Sequence, residues 1–275
     1  MKLSISRAWN DAMGLVQANM GVVAVMAGVF FFLPNLAIVL LMPDMATSMA
    51  IEPGTEDPAE VLNQFSEFYA GVWVPMLLVF VAQAIGTLAM LALLRGENRP
   101  TVGEALGIGA VGLLTYIGAT ILVYIALGLV IGIVMGVAIA SEITALAVIL
   151  GILAFVGFVY AAIKISLLAP VIAIERMYNP FSALLRSWKL TKGNSIRLLA
   201  FYILFFLAVG VVGFVILLVV TLVFGIAGGD IAVTGVGVFN AILTTVYLVL
   251  ILGVLAGVHR QLAGPDAEVV SEDFE

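Results

Sequence analysis

The sequence predicts an all-α membrane protein of six transmembrane helices, arranged as three hairpin repeats that each follow a short cytoplasmic interfacial helix. Three observations lead there: the composition, the spacing of the apolar runs and the recurrence of a short basic and aromatic motif. Of the 275 residues, 64% are hydrophobic and 10% are charged, and the mean hydropathy is +1.25; soluble domains lie far from these values. The chain contains no cysteine, so it carries no disulfide framework and no thiolate metal ligand, and its redox compartment is left open.

The apolar runs fall near 20–42, 69–94, 107–139, 143–174, 196–226 and 233–258, and each meets the roughly 20 residues a helix needs to cross the hydrocarbon core. The third, fourth and fifth are long enough to tilt or protrude. The first run is longer than the about 7–15 residues of a cleavable signal segment, so Ser48-Met49-Ala50 is not read as a cleavage site. Ten of the eleven Lys and Arg residues lie in the N-terminus (Lys2, Arg7), the 95–104 turn (Arg95, Arg99), the 175–197 segment and Arg260. The opposite loops hold Asp44, Glu52, Glu56, Asp57, Glu60, Glu67, Glu142 and Asp230 and no basic residue. Positive charge collects on the cytoplasmic side, which places both termini there. The net charge of −6 comes mostly from the external loops and from the tail between Asp266 and Glu275, and nucleic acid is not an expected partner. The organisation predicted is one membrane domain over 1–262, with repeats of about 1–94, 99–175 and 179–260, and an acidic disordered cytoplasmic tail over 263–275.

Repetition is carried by Arg7-Ala8-Trp9 before the first span and Arg186-Ser187-Trp188 before the fifth. A weaker copy precedes the third, where Arg99-Pro100 with Ala105-Leu106 aligns loosely with Asn179-Pro180 and Ala183-Leu184. The last copy predicts the best-defined surface helix: Asn179 as its N-cap, Pro180 in its first turn and Gly193 just past its end. Phe181, Leu184, Leu185 and Trp188 form one apolar stripe, with Arg186 and Lys189 projecting away, as in a helix lying in the membrane interface. Residues 3–16 carry a poorer stripe through Ile5, Trp9, Ala12, Met13 and Val16, with Trp9 and Trp188 as interfacial anchors, and the middle copy is only the capping box Thr101 with Glu104. On the external side, a helix starting at Asp57-Pro58-Ala59-Glu60 continues one apolar face into the second span, and residues 43–57 form the mobile segment.

The run from Leu167 to Asn194, LLAPVIAIERMYNPFSALLRSWKLTKGN, resembles the signature of the six-helix bacterial membrane domain named after glycerophosphoryl diester phosphodiesterases. Pro170, Glu175, Ser187-Trp188 and Leu190-Thr191-Lys192-Gly193 carry the specific part, and the hydropathy plan agrees along the whole chain. The resemblance implies a fold, a bacterial inner membrane and an association with lipid rather than a reaction. Some members of that family carry a catalytic barrel in addition, for which these 275 residues leave no room.

Residues suited to catalysis are sparse. The single histidine, His259, is expected to sit at the interface near a helix C-terminus, and no paired acids within a span, metal-ligand motif or Gly-rich phosphate loop appears. No cofactor or metal is therefore implied, and enzymatic activity is not the favoured reading. Lys164 is the only basic residue inside a span, eleven residues and about 16 Å of helix before Glu175. It either snorkels to the headgroups or lines a polar cavity with Asn35, Gln83 and Asn240, because a charge at mid-bilayer costs about 2.5–3.5 kcal/mol. Lys164, Arg186, Lys189, Lys192 and Arg197 are the candidate sites for anionic headgroups. Glu175 and Arg176 pair locally or brace the surface helix through Arg186 and Lys189.

Gly128, Gly132 and Gly136, and Gly253 with Gly257, are spaced for close helix contacts, favoured within the chain over a homodimer face, and Pro34, Pro75 and Pro170 are expected to kink their spans. Three readings of function follow. The first is a non-enzymatic inner-membrane protein that organises, senses or binds lipid and envelope components. The second is a small transporter or channel for an anionic solute or lipid, with Lys164 in its cavity. The third is an accessory subunit of a larger complex, with a protein or homo-oligomeric partner in the membrane. The acidic tail either solubilises the chain or covers Arg186, Lys189 and Lys192.

Overall fold

A computed structural model describes residues 2–41, 58–95 and 100–264. The external segment 43–57 with its four acids, Arg99 and the acidic tail from Asp266 to Glu275 lie outside the described residues.

Every regular element among the described residues is a helix. After α1 (Ile5–Ala18), the first span is built from α2 (Met20–Ala27), a π-helical turn (Gly28–Phe32) and α3 (Leu33–Leu41). Pro34 explains the wide turn: its ring clashes with a carbonyl four residues back and it has no N–H to offer. The Leu33 N–H reaches back to the Gly28 carbonyl instead, and the Asn35 side-chain amide donates to the Phe31 carbonyl at 2.8 Å. The second span is α4 (Pro58–Leu93), which starts at the predicted proline and continues through Pro75 without a break. Then follow α5 (Val102–Ala140), α6 (Thr144–Ile165), α7 (Leu168–Ile174), α8 (Pro180–Thr191), α9 (Ser195–Ala227) and α10 (Gly229–Ala263). Pro170 acts as expected, because the fourth run is split at Ser166–Leu167, just ahead of the proline, into α6 and α7. The predicted capping box opens α5: Thr101 Oγ1 accepts from the Glu104 N–H, and the Glu104 carboxylate accepts from the Thr101 N–H at 2.7 Å. Asn179 caps α8 by accepting from the Ser182 N–H at 3.2 Å, and Gly193, at φ +81°, supplies the left-handed turn before α9. Among the described residues no separate helix lies between α4 and α5, and α5 opens directly on the Thr101–Glu104 cap.

Among the described residues six helical stretches are long and apolar enough to cross a membrane: 20–41, 59–93, 102–140, 144–174, 195–227 and 229–263. Large side chains such as Leu114, Tyr124, Leu129 and Ile133 of α5 and Phe155 of α6 are exposed, an apolar surface of a size that lipid covers. The protein is an integral, multi-pass membrane protein.

The chain divides into two compact units. One comprises residues 20–86 and 206–249. In it Gly86 faces the Phe30 side chain within the π-helical turn and Gly237 faces Val39, while Gln83 Nε2 donates to Asn35 Oδ1 at 3.4 Å. The other comprises residues 1–19, 87–205 and 250–275, and its core is formed by Leu88, Leu91, Ile172, Leu198 and Val258. There α1 packs on α10 where glycine permits it. A Cβ on Gly257 would fall 2.7 Å from the Ala8 carbonyl oxygen, and one on Gly253 would fall 2.8 Å from Val16 Cγ2. The face of α1 that packs is Ala8, Ala12, Leu15 and Val16, rotated from the expected stripe so that Trp9 remains exposed against Phe205, 6.4 Å away. The span-three glycines behave differently. Gly128, Gly132 and Gly136 have nothing within 4 Å of a built Cβ, so the expected packing within the chain is found at Gly253 and Gly257 and not at these three.

Candidate functional site

The sequence between α7 and α9 brings its polar groups to one place because the chain turns twice there, at 175–179 and at 192–194. Helix α7 ends at Ile174, Arg176 takes a left-handed φ of +51°, and Asn179 starts α8. Glu175, at the end of α7, thereby faces Arg186 one helix later. Arg186 Nε donates to Oε2 at 2.7 Å and Nη2 to Oε1 at 3.2 Å, a bidentate pair. His259 of α10 completes the arrangement, its Nε2 lying 2.9 Å from the same Oε1. The Glu175 carboxyl is mostly buried, and burial pushes its pKa up. The hydrogen bonds from His259 and Arg186, with their charge, outweigh that effect and hold it below the usual carboxylate range. One carboxylate thus joins α7, α8 and α10, which is the bracing contact expected of Glu175. His259 lies near the C-terminal end of α10 and is buried and bonded there.

Helix α8 packs through Ala183, Ser187, Leu190 and Thr191. Ser187 Oγ donates to the Lys164 carbonyl at 2.8 Å, and Thr191 Oγ1 lies 3.5 Å from the same oxygen. These hydroxyls serve the end of α6 beside the Ser166–Leu167 break, where Ser166 Oγ donates to the Ile163 carbonyl at 2.8 Å and Tyr202 Oη donates to Ser166 Oγ at 3.1 Å. The Lys164 side chain is only 2% exposed. Its Nζ lies 5.4 Å from the Tyr160 ring centroid and 5.5 Å from that of Trp188, and the two rings meet edge to face at 5.8 Å. The ammonium thus lies between two aromatic walls.

The other predicted residues are placed as follows. Lys189, Lys192 and Arg197 are exposed, whereas Arg186 is engaged by Glu175. Asn35 and Gln83 are hydrogen-bonded to one another in the unit that also holds Asn240, which is exposed, and Lys164 belongs to the other unit. Trp9 and Trp188 are exposed. The contacts of Tyr160, Thr191 and His259 were not anticipated from the sequence. For Thr191 a signal was available, because Ser187 and Thr191 stand one helical turn apart and so share a face.

Residues 137–260 match the family model for the membrane domain of glycerophosphoryl diester phosphodiesterase. The resemblance read from the 167–194 run is borne out over this segment. The membrane-domain match contains Lys164, Glu175, Arg186, Ser187, Thr191 and His259, and therefore every group of the cluster above. No match was found among curated proteins or among solved structures.

Proposed function

We propose that this protein is a non-enzymatic component of a bacterial inner membrane that binds and organises anionic lipid headgroups at the cytoplasmic face, with both termini on that side and its spans grouped as three hairpins. One observation carries the reading. Helix α8 packs by its small residues, Ala183, Ser187, Leu190 and Thr191, and leaves Phe181, Leu185 and Trp188 exposed beside the exposed cations Lys189 and Lys192. A helix whose uncovered surface is an apolar stripe flanked by cations fits the plane between acyl chains and headgroups. Arg186 is excluded from that role by Glu175, and Lys189, Lys192 and Arg197 carry it.

Each cation near an anionic leaflet contributes about 1 kcal/mol, so three together correspond to a tenfold effect or more. The test is native mass spectrometry of the detergent-extracted protein titrated with phosphatidylglycerol. The triple variant Lys189→Gln/Lys192→Gln/Arg197→Gln is expected to retain several-fold fewer lipid adducts. Equal retention by wild type and variant overturns the reading.

A further inference from the structure

We infer that Lys164, with Tyr160 and Trp188, forms a discrete subsite for one phosphate-bearing group, contributed by a bilayer phospholipid. The inference rests on the lipid reading above and adds a particular site, distinct from the exposed lysines of α8.

The argument begins with an unbalanced charge. Lys164 is 2% exposed, and among the described residues no carboxylate or hydrogen-bond acceptor partners its ammonium. Removing an ammonium from water costs several kcal/mol in a protein interior, whereas each aromatic face returns about 0.5–2 kcal/mol. Two rings offset part of that cost and supply no acceptor for the three N–H donors of the head group. An oxyanion would supply both the charge and the acceptors.

Access decides the class of ligand. Tyr160 and Trp188 are 47% and 43% exposed, and the ammonium between them is not among fully buried unpartnered polar atoms, so it keeps an opening to the surroundings beside the two rings. Tyr160 lies in the apolar helix α6 and Trp188 on the exposed stripe of α8, and surroundings that cover such surfaces are lipid. Tyrosine and tryptophan, apolar in body and polar at one end, favour the depth at which phospholipid phosphates lie. The site is held in place as well: the Lys164 carbonyl accepts from buried Ser187, which fixes the end of α6 against α8 and with it the spacing of the two rings.

The shared chemistry is a phosphate oxyanion, and the experiment separates a lipid from a soluble source. The full chain, delipidated in detergent, is titrated in separate arms with phosphatidylglycerol, with diacylglycerol and with inorganic phosphate, and bound species are counted by native mass spectrometry as collision energy rises. One phosphatidylglycerol is expected to persist after the others are stripped, with no such species from diacylglycerol or inorganic phosphate. Lys164→Met is expected to reduce that last adduct at least tenfold, Lys164→Arg to keep it, and Lys189→Gln/Lys192→Gln/Arg197→Gln to keep it while losing weaker adducts. If Lys164→Met aggregates, Trp188→Leu removes one wall and leaves the charge, and a several-fold loss is expected there. Full retention in Lys164→Met, or in Trp188→Leu where that variant is used, overturns the inference, and so does a Lys164-dependent adduct with inorganic phosphate but none with lipid. Loss of weak adducts in the triple variant alone leaves the broader lipid reading standing while this one falls, and the reverse pattern leaves only this one.

Discussion

The imidazole Nε2 of His259 lies 2.9 Å from the Glu175 carboxylate, across 84 residues of sequence. Because Arg186 holds the same carboxylate from the other side, the ends of α7 and α10 and the middle of α8 meet at one anion. A cluster of this kind contributes through its completeness: removing one member leaves the others buried and under-bonded, and that cost exceeds the worth of any single contact.

Glu175→Ala is therefore expected to lower stability by about 1–3 kcal/mol. Arg186→Lys, which keeps the charge and loses the two-pronged geometry, should cost about 1 kcal/mol. Thermal unfolding in a fixed detergent, read by circular dichroism, checks both. An unchanged midpoint for Glu175→Ala would remove the carboxylate from its structural role.

The same carboxylate sets a pH dependence. Its folded pKa is depressed, so its contribution is fully present above the unfolded glutamate value of about 4.3 and is lost as pH falls through the lower folded value. From this group, stability is expected to be flat from neutral pH to about 5 and to decline below about 4. Glu175→Gln should flatten the decline. A wild-type midpoint that falls between pH 7 and 5 and is rescued by Glu175→Gln would contradict the assignment.

Glycines of the same spacing should respond oppositely. Gly257→Leu forces a side chain against the Ala8 backbone, already 2.7 Å from a Cβ, and should cost about 1–3 kcal/mol or more. Gly132→Ala meets nothing within 4 Å and should be neutral or stabilising by up to about 1 kcal/mol through helix propensity. The two midpoints, measured side by side, test whether α1 is seated on α10.

Ser187→Ala removes the donor to the Lys164 carbonyl and should cost about 1 kcal/mol. Ser187→Leu, at a fully buried position, should cost more by displacing α8. Protease sensitivity at the 176–179 turn provides a second readout beside the melting midpoint, rising in Ser187→Leu and staying near wild type in Ser187→Ala.

The spans, the two flanking helices and their caps were legible in the sequence because each depends on neighbours within a few residues: an apolar run, Asn179 before Pro180, Thr101 three residues before Glu104. The break ahead of Pro170 was legible for the same reason. The packing faces were less so. Hydrophobicity suggested that the Phe181-Leu185-Trp188 stripe is the distinctive side of α8, and it is, but the protein contact is made by Ala183, Ser187 and Thr191. In a membrane protein the apolar side gains nothing by facing protein rather than lipid, and small residues that permit close approach take that place. Likewise Gly128 and Gly253 carry the same spacing motif, and only the partner helix tells them apart. The partner of His259 was not legible because it lies 84 residues away in sequence. The Arg7-Ala8-Trp9 and Arg186-Ser187-Trp188 correspondence acquires a physical meaning in turn: Ala8 and Ser187 are both fully buried, and the tryptophan after each is exposed.

Near the amino terminus, the Leu3 N–H donates to Asn194 Oδ1 at 2.9 Å and the Ser4 N–H to Gln261 Oε1 at 3.2 Å, across 191 and 257 residues. Ribosomes elongate at about 5–20 residues per second, so α1 is synthesised on the order of 10–40 s before Asn194 exists and longer before Gln261 does. Helix α1 is thus made well before the residues that hold its start in place. Ala8 and Ala12 meet Gly257 and Gly253 of α10, so the seating of α1 waits on the synthesis of α10.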